Sequence, residues 1–183
     1  MDIIKIPVGY LQANCYLLIK ENNCLIIDPG DEENRIVEEI KERELKPLAV
    51  LVTHHHLDHD KYAKDLGMIY GITVYDYHNL FEGTKQIGDF QFETIYTPGH
   101  TSDSITLYFP LDDSSSGVMF TGDFLFKGSI GRTDLETGNY KEMLTSLNNL
   151  KKYKDSDITI MPGHGDATTI SLEFSENPYL REL

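Results

Sequence analysis

Cysteine is scarce in this chain: among its 183 residues only Cys15 and Cys24 carry thiols. That is too few for the disulfide framework of a small secreted domain. The two lie in apolar segments separated by the turn-like Glu21-Asn22-Asn23. If that turn closes a hairpin, Cys15 falls nearer Asp28 than Cys24, so both are read as reduced core thiols rather than as a bridge. Basic residues are also few, 16 against 30 acidic ones, giving a formal net charge of -14. A field of that sign repels polyanions, so nucleic acid is not an expected partner. No run approaches the roughly 18 consecutive apolar residues of a membrane-spanning helix. The opening Met1-Asp2-Ile3-Ile4-Lys5 is not a basic region followed by a long apolar stretch. The expectation is a cytoplasmic protein with no membrane partner. Internal repeats and low-complexity tracts are missing too, as is the Gly-x-Ser-x-Gly turn of serine hydrolases.

What is present is ordinary globular usage, 40% hydrophobic and 25% charged residues, which leaves little room for disordered tails. A chain of this length fits one domain, 1–183, able to bury roughly 70% of its unfolded surface. Short runs rich in β-branched residues predict strands at Ile3–Ile6, Cys15–Ile19, Leu25–Ile27, Leu48–Val52, Ile72–Tyr75, Phe90–Tyr96, Ile105–Phe109, Val118–Phe120 and Ile158–Met161. A helix is expected from Glu32 to Glu44, with Asp31 as N-cap and Ile36, Val37 and Ile40 on one face. A second is expected from about Tyr140 to Tyr153, where Met143, Leu144, Leu147 and Leu150 have the spacing of a core-facing stripe. Leu111 to Gly117 reads as a polar hairpin loop. Hairpins early and late with helices interspersed suggest an α+β fold, two sheets packed face to face with helices outside.

The strongest local signal is Thr53-His54-His55-His56-Leu57-Asp58-His59, which holds four of the chain's seven histidines. If the strand continues extended through His56, alternation puts His54 and His56 on one side and His55 on the other. A short helix beginning after Leu57 would aim Asp58 and His59 at a neighbouring point. Imidazoles and carboxylates so placed suit ions of the zinc type. Three later segments repeat one pattern, an apolar strand, a glycine break, then a potential ligand: Ile95-Tyr96-Thr97-Pro98-Gly99-His100, Val118-Met119-Phe120-Thr121-Gly122-Asp123 and Ile158-Thr159-Ile160-Met161-Pro162-Gly163-His164. The glycine lets the backbone turn sharply at the strand end. A lone Gly-His or Gly-Asp is commonplace and a histidine run can be a solvated turn. Joint occurrence, each at a strand end, is what argues for a site. His55 and His78 stay outside it, as surface or supporting residues.

The pattern His54-x-His56-x-Asp58-His59, followed by His100, Asp123 and His164, resembles the metallo-β-lactamase superfamily. Within it, Thr97-Pro98-Gly99-His100-Thr101, Thr121-Gly122-Asp123-x-Leu125-Phe126, Gly131-Arg132-Thr133-Asp134 and Pro162-Gly163-His164-Gly165 resemble the hydroxyacylglutathione hydrolase (glyoxalase II) branch. The resemblance implies a four-layer αββα sandwich and two divalent metal ions, zinc first, with iron or manganese as alternatives. It implies that His54, His56 and His100 hold one ion, Asp58, His59 and His164 the other, and that Asp123 bridges them, so that Asp58 and Asp123 stand at the reacting centre. Asp28, in Ile27-Asp28-Pro29-Gly30, resembles the family carboxylate that orients a ligand through a hydrogen bond. Arg132 stands where the branch places a cation for glutathione; an ion pair with Asp134 explains the same residue.

The activity implied is hydrolysis of an acyl thioester such as S-lactoylglutathione, a small-molecule substrate, by metal-activated water. Two cations outweigh the carboxylates of Asp58 and Asp123, so an anionic substrate is compatible with the acidic chain. The sequence departs from the branch in two places. It ends soon after His164, where glyoxalase II enzymes continue into a helical extension with basic residues, which implies a more open site and another thiol or a broader range. It also carries Asp60-Lys61-Tyr62 after His59 where small or apolar residues are usual. Two other readings share these motifs: a persulfide dioxygenase with one iron on His54, His100 and Asp123, and a metal-binding domain without turnover.

Overall fold

A computed structural model of the chain describes residues 1–111, 116–181 and 183. In chain order the strands and helices are β1 (Asp2–Val8), β2 (Ala13–Lys20), β3 (Asn23–Ile27), α1 (Glu33–Glu42), β4 (Lys46–Leu51), α2 (Leu57–Asp60), α3 (Ala63–Tyr70), β5 (Thr73–Tyr75), β6 (Gly83–Ile87), β7 (Phe90–Tyr96), β8 (Ile105–Leu111), β9 (Ser116–Gly122), β10 (Leu125–Phe126), β11 (Ser129–Ile130), α4 (Tyr140–Asn149), β12 (Asp157–Pro162), β13 (Thr168–Thr169) and α5 (Ile170–Glu176). Every run expected to be a strand lies in or overlaps one, and β6, β10, β11 and β13 are additional. Their polar or very short sequences carry no period-two signal. The chain forms two compact units, residues 1–80 with 86–90, and residues 81–85 with 91–183.

The first unit is built on the sheet β1-β2-β3-β4-β5. Its first three strands are antiparallel neighbours, and β3, β4 and β5 run parallel. Seven consecutive residues of β2 are buried, the mark of a strand covered on both faces. Ile36 and Ile40 of α1 and Leu66 of α3 join Ile6, Leu17, Ile26 and Val50 in one apolar cluster. The expected N-cap at Asp31 is corrected: Glu32 occupies that position in a left-handed conformation, φ 51°, and lacks a side-chain cap. Asp31 instead accepts from the Glu32 N–H at 2.8 Å and faces the Lys61 ammonium. The β2–β3 register sets Tyr16 opposite Ile27 and Ile19 opposite Cys24, so the thiols are far out of register. Burial raises both, Cys24 to about 12, which keeps them protonated and inert.

The second sheet has the order β13-β12-β9-β8-β7-β6, with β12 parallel to β9. Met143 and Leu147 of α4, and Leu150 and Tyr153 of the 3-10 turn that continues it, pack with Ile95, Met119, Ile158 and Ile160. The Asn139 side chain accepts from the N–H groups of Lys141 and Glu142, which starts α4. The polar loop expected between Leu111 and Gly117 is flanked by β8 and β9, which pair antiparallel with Leu111 opposite Ser116; its residues 112–115 lie outside those described. Glu173 of α5, 2% exposed, accepts from Thr168 Oγ1, Gly128 N–H and Asn177 Nδ2, while Asn177 also donates to the Ser129 carbonyl. A buried carboxylate satisfied by three donors fixes α5 to the ribbon β10–β11. That ribbon leads straight into Gly131 and Arg132.

Candidate metal centre

In the first unit the strand ends decide where the donors stand. After β3 the chain turns through Asp28 in a left-handed conformation, φ 51°. The Asp28 N–H donates to the Leu51 carbonyl of the adjacent parallel strand. Its carboxylate then reaches over the end of β4. Oδ1 accepts from the Thr53 N–H at 2.7 Å, and Oδ2 accepts from the Thr53 hydroxyl at 2.7 Å and from His59 Nδ1 at 3.1 Å. All three groups are at least 97% removed from solvent by residue, so these bonds are made in low dielectric, where leaving one unmade is costly.

The donor pattern fixes two imidazole tautomers. A carboxylate only accepts, so His59 carries a proton on Nδ1 and turns Nε2 to the other side. The Thr53 hydroxyl gives its single proton to Asp28, so toward His54 Nδ1, 3.1 Å away, it acts as acceptor. His54 therefore also bears Nδ1–H and offers Nε2. The backbone leaves β4 at Leu51 and bends at residues 53 and 54, so the strand does not run on through His56 as the alternation argument supposed. The rings of His54 and His56 nonetheless lie side by side, centroids 4.9 Å apart, and His54 and His59 are 4.5 Å apart. The short helix α2 begins at Leu57, one residue before the expected start, and sets His59 Nε2 3.6 Å from Asp58 Oδ2. His55 points elsewhere: Nδ1 lies 2.8 Å from Asp60 Oδ2 and Nε2 3.4 Å from Asp76 Oδ2, with the ring stacked on His78.

The second unit contributes three more donors at strand ends. Gly99 and Gly122 have φ of 148° and 49°, turning the chain after β7 and β9 as the glycine breaks suggested. Gly163 is different, since its part is an N–H donated to the Gly122 carbonyl at 2.8 Å. Because Pro162 pairs with Gly122 in parallel register, Asp123 and His164 leave neighbouring strands together. Asp123 Oδ2 lies 3.6 Å from His100 Nε2 and 3.5 Å from His164 Nε2. His100 Nδ1 lies 2.8 Å from the Arg132 carbonyl, which only accepts, so this ring too bears Nδ1–H and turns Nε2 toward Asp123.

The three N···O separations, 3.6, 3.6 and 3.5 Å, exceed the roughly 3.2 Å limit of a hydrogen bond. Two donors each about 2.1 Å from a tetrahedral ion lie about 3.4 Å apart. The donor types, imidazole Nε2 and carboxylate oxygen, and this spacing both fit divalent metal. Asp28 shares a tight group with His54 and His59, their ligand atoms within 4.8 Å of one another, but its oxygens are occupied by the three donors above.

Arg132 has two roles that the sequence mixes. Its main-chain oxygen orients His100, a function no side-chain pattern announces. Its guanidinium makes a two-pronged pair with Asp134, Nε–Oδ1 2.7 Å and Nη2–Oδ2 2.8 Å, on the exposed surface, and holds the Asp134 carboxyl at about 2. Thr53 was visible beside the histidines, yet its relay to Asp28 depends on a residue 25 positions away in the chain. The clasp of His55 between Asp60 and Asp76 was equally hidden, because Asp76 arrives from the far end of β5.

Gly131 is a tight point. A methyl group there would overlap the Asp123 carbonyl oxygen and stand 3.1 Å from His100 Cγ. Gly131→Ala should destabilise the protein by about 3 kcal/mol or more, since backbone rather than a flexible side chain is in the way. A urea unfolding midpoint equal to wild type would show that the loop adapts.

The metallo-beta-lactamase superfamily model matches residues 8–75 and 69–164, and the chain belongs to that superfamily. It is 36% identical to the probable metallo-hydrolase YqgX of Bacillus subtilis, each covered over 96% of its length. It is 34% identical to hydroxyacylglutathione hydrolase GloC of Haemophilus influenzae, each covered over 98%. Among solved structures, the BLEG-1 B3 metallo-beta-lactamase superposes with a TM-score of 0.88 at 30% identity, over 98% of this chain and 99% of that one. TTHA1623 in a di-iron-bound form gives 0.84 at 30% identity, over 97% and 100%. The α+β architecture is thus the metallo-β-lactamase fold. The chain is a metal-dependent hydrolase of that class, with a histidine and aspartate donor set for divalent ions.

Proposed function

We propose that the chain hydrolyses small acyl thioesters, S-lactoylglutathione or a related acyl thiol, using a metal-activated hydroxide at a dinuclear site. On the partition implied by the family, His54, His56 and His100 would hold one ion, Asp58, His59 and His164 the other, and Asp123 both. The observation that carries this reading is the metal-like spacing of the His59–Asp58, His100–Asp123 and His164–Asp123 donor pairs. When bound, two such ions lower the pKa of water to near neutrality and polarise a carbonyl.

The chain's own residues prepare that chemistry. Asp28 holds His59 directly and His54 through Thr53, so neither ring needs to change tautomer to offer Nε2. The Arg132 carbonyl does the same for His100. Asp123 sits between two imidazoles with one oxygen turned to both. The Arg132 side chain meets an anionic part of the substrate once it exchanges partners with Asp134, an exposed pair that costs little to open. Zinc suits the imidazole-rich set, with iron or manganese as alternatives. Buried protonated thiols and the acidic balance favour a cytoplasmic setting and a small-molecule partner. No helix among the described residues is long and apolar enough to cross a membrane.

Elemental analysis of protein purified without chelator, joined to an anaerobic assay on S-lactoylglutathione, tests the reading. About two zinc ions per chain with thioester cleavage is the expected result. Iron at about one per chain with oxygen-dependent persulfide consumption would replace hydrolysis by dioxygenase chemistry. Unfolding on metal removal with no turnover of either kind would leave a binding domain.

A further inference from the structure

Glu173 of α5 carries a carboxylate in the interior, 2% exposed, and no step of the proposed hydrolysis uses it. Its partners are three neutral donors: the Thr168 hydroxyl on Oε1 at 2.6 Å, and the Gly128 N–H at 2.9 Å and the Asn177 side-chain amide at 2.7 Å, both on Oε2. Asn177, itself buried, gives the same amide to the Ser129 carbonyl at 3.1 Å. A buried charge is costly, and an apolar residue of similar volume would often pack as well. Its presence points to a geometry that only hydrogen bonds specify. That geometry belongs to the β10–β11 ribbon, two residues on each strand, with Leu125 opposite Ile130 and Phe126 opposite Ser129. A ribbon so short does not hold itself.

The two strands of the ribbon are secured differently. β10 is anchored at its root, because Leu125 is fully buried and its carbonyl accepts from the Thr121 hydroxyl at 2.8 Å. β11 carries an exposed Ser129 and a half-buried Ile130. Side-chain burial fixes it less, and the ties of Glu173 to Gly128 and of Asn177 to Ser129 take over at the turn. Three residues after Ser129 comes Arg132, whose carbonyl lies 2.8 Å from His100 Nδ1. We propose that Glu173 and Asn177 are positioning residues for His100: they set where the ribbon delivers the Arg132 carbonyl, and with it the direction of the His100 ring. The partner of a ligand ring's far nitrogen governs metal affinity, so the inference deepens the hydrolase reading and rests on it for its consequence in metal binding.

The test uses the full chain with isotope-labelled histidine, with and without added zinc. The imidazole Nδ1–H resonances of His54, His59 and His100 are followed by NMR, that of His100 being the one that His100→Ala removes. In Glu173→Leu and Asn177→Ala the His100 resonance should shift or be lost to exchange with water. Those of His54 and His59, tied to Thr53 and Asp28 in the first unit, should stay. Zinc affinity, read by competition with a chromophoric chelator, should fall about tenfold in Glu173→Leu, the low end for a group behind a metal-bound histidine, and less in Asn177→Ala. Glu173→Gln should recover most of both, because its carbonyl oxygen can still accept from Gly128 and Asn177 while its amide turns to the Thr168 hydroxyl. Thr168→Val cuts the arm that does not reach the ribbon, and should lower the unfolding midpoint without moving the His100 resonance. All three resonances unchanged in both variants, all three moving together, or an equal response to Thr168→Val overturns the proposal. Asn177→Ala keeps the carboxylate and two of its donors, so it carries the test should Glu173→Leu not fold. Wild-type protein that binds no zinc would instead remove the metal reading, and the spectra without zinc still decide whether Glu173 and Asn177 aim His100.

Discussion

Asp123→Ala is expected to remove nearly all hydrolytic turnover and to lower the bound metal per chain. Asp123 Oδ2 is within 3.6 Å of both His100 Nε2 and His164 Nε2, so one truncation takes a donor from beside two imidazoles. If Asp123 bridges two ions, its loss also removes the negative charge that lets two cations sit close together. Metal content by elemental analysis and kcat on a thioester read the two effects separately. Wild-type turnover with a full metal complement in this variant would discard the dinuclear proposal. Because Asp123 is partly buried and leaves the end of β9, the substitution should spare folding, and the unfolding midpoint provides that control.

Asp28→Ala should damage the protein differently, through the rings it positions. The substitution strips the acceptor from the Thr53 N–H, the Thr53 hydroxyl and His59 Nδ1 together. Each buried group left without a partner costs about 1–3 kcal/mol, so a loss of several kcal/mol of stability is expected, read by chemical denaturation. Metal affinity should fall about 10–100-fold, the usual scale for removing a carboxylate behind a metal-bound histidine. Thr53→Val breaks only the His54 arm and should produce the smaller defect. Thr53→Ser restores the hydroxyl and should recover most of the affinity. That rescue separates the tautomer relay from simple packing, because valine preserves shape and serine preserves the proton path. Equal metal affinity in Thr53→Val and wild type would remove Thr53 from the relay.

Much of this was legible in the linear sequence, and the legible parts have a common physics. The strands announced themselves because β-branched runs such as Leu48–Val52 and Phe90–Tyr96 must bury their side chains on a pleated surface. The candidate donors stand out because histidine is a rare residue type and four of the chain's seven fall between His54 and His59. The breaks before His100 and Asp123 were readable because glycine enters the positive-φ region, 148° and 49° here, more easily than any other residue. Short strands such as β6, with its Gly83-Thr84-Lys85-Gln86-Ile87 sequence, were not readable. Their pairing is supplied by neighbours rather than by their own pattern.

Composition and local pattern showed which side chains have the chemistry to bind metal, which apolar runs become strands, and that the chain is strongly acidic. These properties belong to single side chains or to neighbours a few positions apart. The ring orientations of His54, His59 and His100 come from the fold, because Asp28 reaches Thr53 and His59, and the Arg132 carbonyl reaches His100, across long stretches of chain. The fold also decided that Asp31 faces Lys61 instead of capping α1, and that Glu173 and Asn177 meet the β10–β11 ribbon. Hydrogen-bond direction is a relation between distant segments, and packing alone brings those segments together.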